Sequence, residues 1–143
     1  MEGTNNVVEL CGTPVGRPQL SHTGGGEEYY TFPLEIERLS GFSDRINIVA
    51  RRDRISSLQI TEDSPRMAIT GELRSFNNKQ GGGSRLVITV LAREMYFTDE
   101  EDRNYISLTG VLCKPPNLRR TPMGRQICDL MLAVNRQIGR AHV

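Results

Sequence analysis

The chain has no tryptophan, two histidines and three cysteines in 143 residues, and each shortage excludes a class of function. His22 and His142 are the only histidines, and no GxSxG, Walker A or HExxH pattern accompanies them. Carboxylate pairs such as Glu27-Glu28 sit beside a glycine turn, where they are expected to face water. No enzyme is expected. Cys11, Cys113 and Cys128 form an odd set without CxxC spacing, which argues against a disulfide framework or a zinc site. Half-buried strand thiols are expected instead. No apolar run is long enough to span a bilayer, and Met1 to Asn6 carry no basic-then-apolar signal pattern. A cytoplasmic location follows as an expectation, with no membrane partner.

What the chain does have is an internal repeat. Displaced by 98 residues, Val7 to Arg38 lies on Tyr105 to Arg136 without a gap. Leu10, Gly12, Pro18, Leu20, Thr23, Gly26, Leu34 and Arg38 meet Leu108, Gly110, Pro116, Leu118, Thr121, Gly124, Leu132 and Arg136. Eight identities in 32 positions, at turn and core residue types, define a unit of about a hundred residues. The second copy extends through roughly a third of that length.

Charge divides along the same line. Residues 1–97 hold 11 Lys/Arg against 12 Asp/Glu, whereas residues 104–143 hold six against one acid, Asp129. Between them lies the acidic strip Asp99-Glu100-Glu101-Asp102. The basic second copy suits a phosphate-bearing partner.

Along the first unit, Asn6 to Thr13 reads as a strand, punctuated by Pro14, Gly16 and Pro18 and resumed over Gln19 to Ser21. Gly24-Gly25-Gly26 precedes an alternating segment rather than a helix, so it reads as a hairpin turn and not a phosphate cradle. From Glu28 to Leu39, Tyr30, Phe32, Leu34 and Ile36 face the core, opposite Tyr29, Thr31, Glu35 and Glu37. Arg45 to Arg51 is a third strand. Asp53 to Thr61 suggests a short helix capped by Asp53, with Ile55 and Leu58 inward. Arg66 to Phe76 and Leu86 to Phe97 are the fourth and fifth strands, joined by a polar, Gly-rich loop over 77–84. The chain is therefore expected to be all-β with one short helix: a five-stranded OB-fold barrel followed by the first strands of a second, incomplete OB-fold.

With catalysis unsupported, a binding surface remains. Single-strand binding needs cations that track phosphates and flat side chains that stack on bases. The candidate cations are Arg45, Arg51, Arg52, Arg74, Lys79 and Arg85 in the first unit, and Lys114, Arg119, Arg120, Arg125 and Arg136 in the second. The candidate stacking residues are Tyr29, Phe42 and Phe76.

Asn104 to Arg136 reads NYISLTGVLCKPPNLRRTPMGRQICDLMLAVNR. It resembles the amino-terminal stretch of bacterial single-stranded DNA-binding proteins: a strand ending in Gly, a basic-Pro-x-Leu-Arg-x-Thr-Pro-x-Gly turn, and a strand ending Leu-Ala-Val-Asn-Arg. Ile69 to Leu86, ITGELRSFNNKQGGGSRL, is similar to the family's fourth strand, wrapping loop and fifth-strand start. A tandem arrangement is similar to a two-domain branch found in some Gram-positive bacteria. The resemblance implies an OB-fold, no cofactor, sequence-tolerant single-stranded DNA binding in replication, recombination and repair, self-association, and a cytoplasmic, nucleoid-associated location. It also implies replication and repair proteins as partners of the intact parent. Two departures stand out. Val49 falls where the family often has an aromatic, and Glu35 and Glu37 would repel phosphates. The first unit is accordingly expected to be mainly structural.

The expected boundaries are a complete OB-fold over 1–97, an acidic linker over 98–103, a truncated second OB-fold over 104–137 and a non-native tail over 138–143. That tail equals one frame of a sequencing adapter. Leu130 and Leu132 are expected to be exposed, because too few strands are present to cover them. The competing expectation is an OB-fold protein-interaction or oligomerisation module of a replication-restart or recombination complex, with little DNA affinity of its own. Residue types leave RNA and DNA undistinguished.

Overall fold

The period-two pattern of the first unit becomes a ring of strands. The computed structural model describes residues 5–78, 83 and 85–135, with the side chains of Phe76 and Asn78 outside that description. Lys79, Arg136 and the stretch 138–143 lie outside the described residues. Contacts separate the chain into a unit spanning Val7–Ile106 and another formed by Ser107 onward with Asn5 and Asn6.

In the first of these, β1 (Asn6–Pro14) pairs antiparallel with β5 (Met67–Asn78). β5 pairs with β6 (Arg85–Phe97), and β6 runs parallel to β4 (Ser43–Arg51). β4 pairs with β3 (Glu27–Glu37), and the end of β3 returns to the end of β1 through Thr13↔Glu35 and Pro14↔Leu34. These five strands close a barrel, which confirms the OB-fold architecture. β2 (Gln19–Gly24) continues the path of β1 after the bend at Pro14 to Pro18 and lies on the outer edge of β3. The first strand of the pattern is thus two strands, broken where Gly16 takes φ +86°.

The alternation correctly assigns the core. Phe32, Leu34 and Ile36 of β3 are buried against Val8, Leu10, Ile48, Met67, Ile69 and Val90, with Tyr30 and Leu58 packed partly buried at the margin. Three details differ from expectation. β3 ends at Glu37, because Arg38 to Phe42 form a turn in which the Arg38 N–H donates to the Phe42 carbonyl and Gly41 takes φ +96°. The helix α1 is one turn, Arg52–Ile55, with Arg51 at its N-cap and no side-chain cap. Asp53 lies inside the first turn and accepts from Arg51 instead. Of the cysteines, Cys11 is buried but Cys113 and Cys128 are exposed.

The acidic strip is held against this unit. The Glu37 N–H donates to Asp102 Oδ2 at 2.7 Å, Arg66 pairs with Asp102, and Arg66 Nε donates to the Glu100 carbonyl at 2.7 Å. Buried Cys11 donates its thiol to the same carbonyl at 3.5 Å, and burial pushes that thiol's pKa up. The stretch 98–102, within the expected acidic linker, is thus held as a strap. It leads into β7 (Arg103–Leu108), next to β1 in the sheet order.

The second copy reproduces the hydrogen-bond register of the first. β8 (Val111–Leu112) pairs with β11 (Leu132–Ala133) as Leu132↔Leu112 and Ala133↔Val111. Displaced by 98, these are the Pro14↔Leu34 and Thr13↔Glu35 pairs. β9 (Asn117–Arg120) pairs with β10 (Gln126–Asp129) as Asn117↔Asp129 and Leu118↔Cys128, the equivalents of Gln19↔Thr31 and Leu20↔Tyr30. The 2.9 Å bond from the Val15 N–H to the Pro33 carbonyl recurs from Cys113 to Met131. Leu130 and Leu132, equivalent to buried Phe32 and Leu34, are exposed, in line with expectation.

Gly12 lies directly against the Glu35 carbonyl oxygen, leaving no room for a Cβ. Neither backbone is free to move, because both are tied into the ring. Gly12→Ala is expected to lower the unfolding free energy by roughly 1–3 kcal/mol in urea melts. Gly24→Ala, which meets open space, is the control and should change it little.

Candidate nucleic-acid interface

Each expected cation on β4, and the one on β5, meets a carboxylate. Arg45 faces Glu35 across β3–β4 at 3.1 Å. Arg51 lies 2.9 Å from Asp53 and 3.7 Å from Glu27, and Arg52 lies 3.5 Å from Glu28. Arg74 bonds Glu72 at 2.8 Å, and Arg93 reaches the other oxygen of that carboxylate at 2.6 Å. A guanidinium so engaged offers less net charge to a phosphate than a free one.

Glu72 is the only buried charged residue among those described. Burial pushes its carboxyl up, but hydrogen bonds and charge from Arg74 and Arg93 more than offset this and hold it below the ordinary carboxylate range. The exposed pairs are weaker supports, since water screens them.

The cations of the Val7–Ile106 unit without a carboxylate partner among the described residues are Arg17, Arg54 and Arg85. Of these, the sequence pattern singled out Arg85 alone, at the start of β6. Arg17 lines a cleft of about 330 Å3 together with Gln19, Thr31 and Asn47, with no carboxylate among the described residues of its walls. Its signal in the sequence was weak: one arginine in a proline-rich bend.

The stacking candidates also sort differently. Phe42 is 73% exposed at the β3–β4 turn. Tyr29 is half-buried on the outer face of β3, and its ring lies parallel to that of His22, with centroids 4.8 Å apart and planes at 5°. Sequence reading considered His22 only for catalysis. Its partnership with Tyr29 depends on a register shift between Leu20 and His22, which alternation does not reveal. Phe76 belongs to β5, but its side chain is outside the described residues. Val49 is buried and presents no stacking surface.

In the other unit, Arg119 is bound by Asp129 at 2.6 Å across β9–β10. That hydrogen bond holds the Asp129 carboxyl below its ordinary range, with a smaller contribution from Lys114. Arg120 and Arg125 are exposed and have no carboxylate partner among the described residues. Among those residues no cluster of His, Cys, Asp or Glu could hold a metal, and no helix is long and apolar enough to cross a membrane.

With this geometry established, comparison with known proteins finds close likenesses. The N-terminal domain of the PriB protein from Thermoanaerobacter tencongensis, a dimeric structure, is 33% identical, covering 67% of this chain and 99% of that one with a TM-score of 0.56. The wild-type single-stranded DNA binding protein from Thermus aquaticus is similar at 24% identity, covering 91% of this chain and 68% of that one with a TM-score of 0.70. A deletion mutant of the same Thermus protein gives 24% identity, coverages of 91% and 69%, and a TM-score of 0.67. These two likenesses speak for the fold. The sequence matches no family model and no curated protein.

Glu72→Gln is expected to cost about 2 kcal/mol of stability at pH 7, since it weakens two charge-assisted hydrogen bonds. The folded state favours the carboxylate, so this contribution is present above the ordinary carboxylate range and lost as pH falls through it. Urea melts of parent and variant should converge at acid pH.

Proposed function

The chain belongs to the OB-fold family of the bacterial single-stranded DNA-binding proteins, and on that footing we propose that it binds single-stranded DNA without regard to sequence. The observation that carries this reading is the set of cations without a carboxylate partner among the described residues, Arg120 and Arg125 on or beside the β9–β10 hairpin and Arg85 on β6. The partner named in the Thermus protein supports the same chemistry. Phosphates would be held by these cations and by Lys114, Lys79 and Arg136, with bases stacked on Tyr29, Phe42 and Phe76. Arg45, Arg51, Arg52, Arg74 and Arg119 would contribute only where their carboxylates give way.

The chain acts, on this reading, by protecting single strands during replication, recombination and repair, without catalysis or cofactor, at the nucleoid. Residues 1–97 serve as a complete OB-fold, and residues 104–137 correspond to the opening strands of a second. Self-association is part of the proposal, in keeping with the dimeric PriB domain. A second reading, an assembly module with little DNA affinity, is favoured by the carboxylate pairing of the β4 arginines.

Fluorescence anisotropy with labelled oligo-dT, duplex DNA as competitor and varied salt separates the two. Salt-sensitive binding that duplex does not displace supports the first reading, and soluble protein that does not bind supports the second. Arg120→Ala should weaken binding to all sequences alike and flatten the log–log salt slope by about 0.7. Glu35→Gln, which releases Arg45, should raise affinity, whereas the double change Glu35→Gln with Arg45→Ala, which removes the pair whole, should leave affinity and slope unchanged.

A further inference from the structure

We infer that the outer face of β2 and β3 carries a nucleobase-stacking subsite built on the His22 ring, with a phosphate contact at Arg17. The inference rests on the single-strand reading above and adds to it a site for the base. Three features of the fold converge there.

The first is the register shift. Leu20 pairs with Tyr30, and uninterrupted pairing would then set Ser21 opposite Tyr29. The extra residue brings His22 opposite Tyr29 instead, and a bulge of this kind re-aims a side chain. The second copy lacks the shift: Arg119 stands opposite Ile127 and Arg120 opposite Gln126, without interruption. The aromatic pair is therefore a property of the first copy.

The second is the ring geometry. Parallel rings with centroids 4.8 Å apart lie within the range of offset stacking. The Ser21 hydroxyl lies 3.0 Å from His22 Nδ1 and fixes the ring's rotation. Tyr29 is half-buried and supports the stack from the barrel side, while His22 is exposed on an edge strand whose six residues are all exposed. A supported, exposed ring in a chain without tryptophan supplies the flat surface that stacking on a base requires.

The third is the adjoining cleft. Thr31 follows Tyr29 on the same face of β3 and pairs with Gln19 of β2, and both line the cleft of about 330 Å3. Among the described residues, Arg17 is its only charged lining residue. A base on His22 leaves its neighbouring phosphate near a wall with one cation and no carboxylate, unlike the β4 row, where acids occupy every arginine.

The test uses the full chain and two fluorescent oligonucleotides of equal length, one oligo-dT and one abasic, which retains phosphates but has no bases. His22→Ala should weaken oligo-dT binding about tenfold and leave abasic binding unchanged. His22→Phe should keep the oligo-dT affinity, because the ring and not its nitrogen is required. Arg17→Ala should weaken both oligonucleotides by the same factor. Equal losses on both strands for His22→Ala, or no loss on either, would overturn the subsite while leaving single-strand binding intact. A parent chain that binds neither oligonucleotide would overturn both the subsite and the reading beneath it.

Discussion

The barrel depends on one close approach between backbones. β1 must pair with β5 along most of its length and then meet β3 at its end, and that crossing puts Gly12 against the Glu35 carbonyl. Any side chain there would push the two strands apart and strain the closure. Closure in turn decides which face of β3 is core and which is surface, because a one-residue slip would exchange them. Gly110 stands in the same relation to the Ala133 carbonyl, 98 residues on. The repeat therefore conserves the constraint that makes the strands cross, together with the neighbouring register, and not merely a resemblance in composition.

On the outer face, charge is allocated rather than accumulated. The arginines of β4 lie beside glutamates of β3 or the aspartate of α1, so that the wall of the barrel is close to neutral in detail as well as in sum. Arg66 is likewise engaged by the strap from residues 98–102, and Glu72 by two arginines at once. Cations left free lie at the bend after β1, on α1, at the start of β6 and around the β9–β10 hairpin. This distribution gives physical content to the contrast between a near-neutral first copy and a basic second one.

Much of the fold was legible in the sequence. The alternation through Tyr30, Phe32, Leu34 and Ile36 gave the buried face of β3, and the order of strands about one short helix gave the barrel. The repeat marked out the second copy, whose strand pairings follow the register of the first. What escaped were features set by partners distant in sequence. Glu35 and Arg45 are ten residues apart, and only the register of β3 on β4 brings them together. Arg93 reaches Glu72 across two strands. Four acids in a row carry no mark of what they dock on, and the Arg66 that anchors the strap lies 34 residues from Glu100. His22 was passed over because a bulge adds one residue to a strand without leaving a mark in its alternation.

The central claim is that nucleic acid engages the free cations and not the paired ones. Arginine side-chain N–H resonances of the 15N-labelled chain, followed as unlabelled oligo-dT is added, test it residue by residue. The account predicts shifts at Arg17, Arg54, Arg85, Arg120 and Arg125, with Arg45, Arg51 and Arg74 unmoved on their carboxylates. Shifts concentrated on Arg45, Arg51 and Arg74 with the free set silent would contradict it.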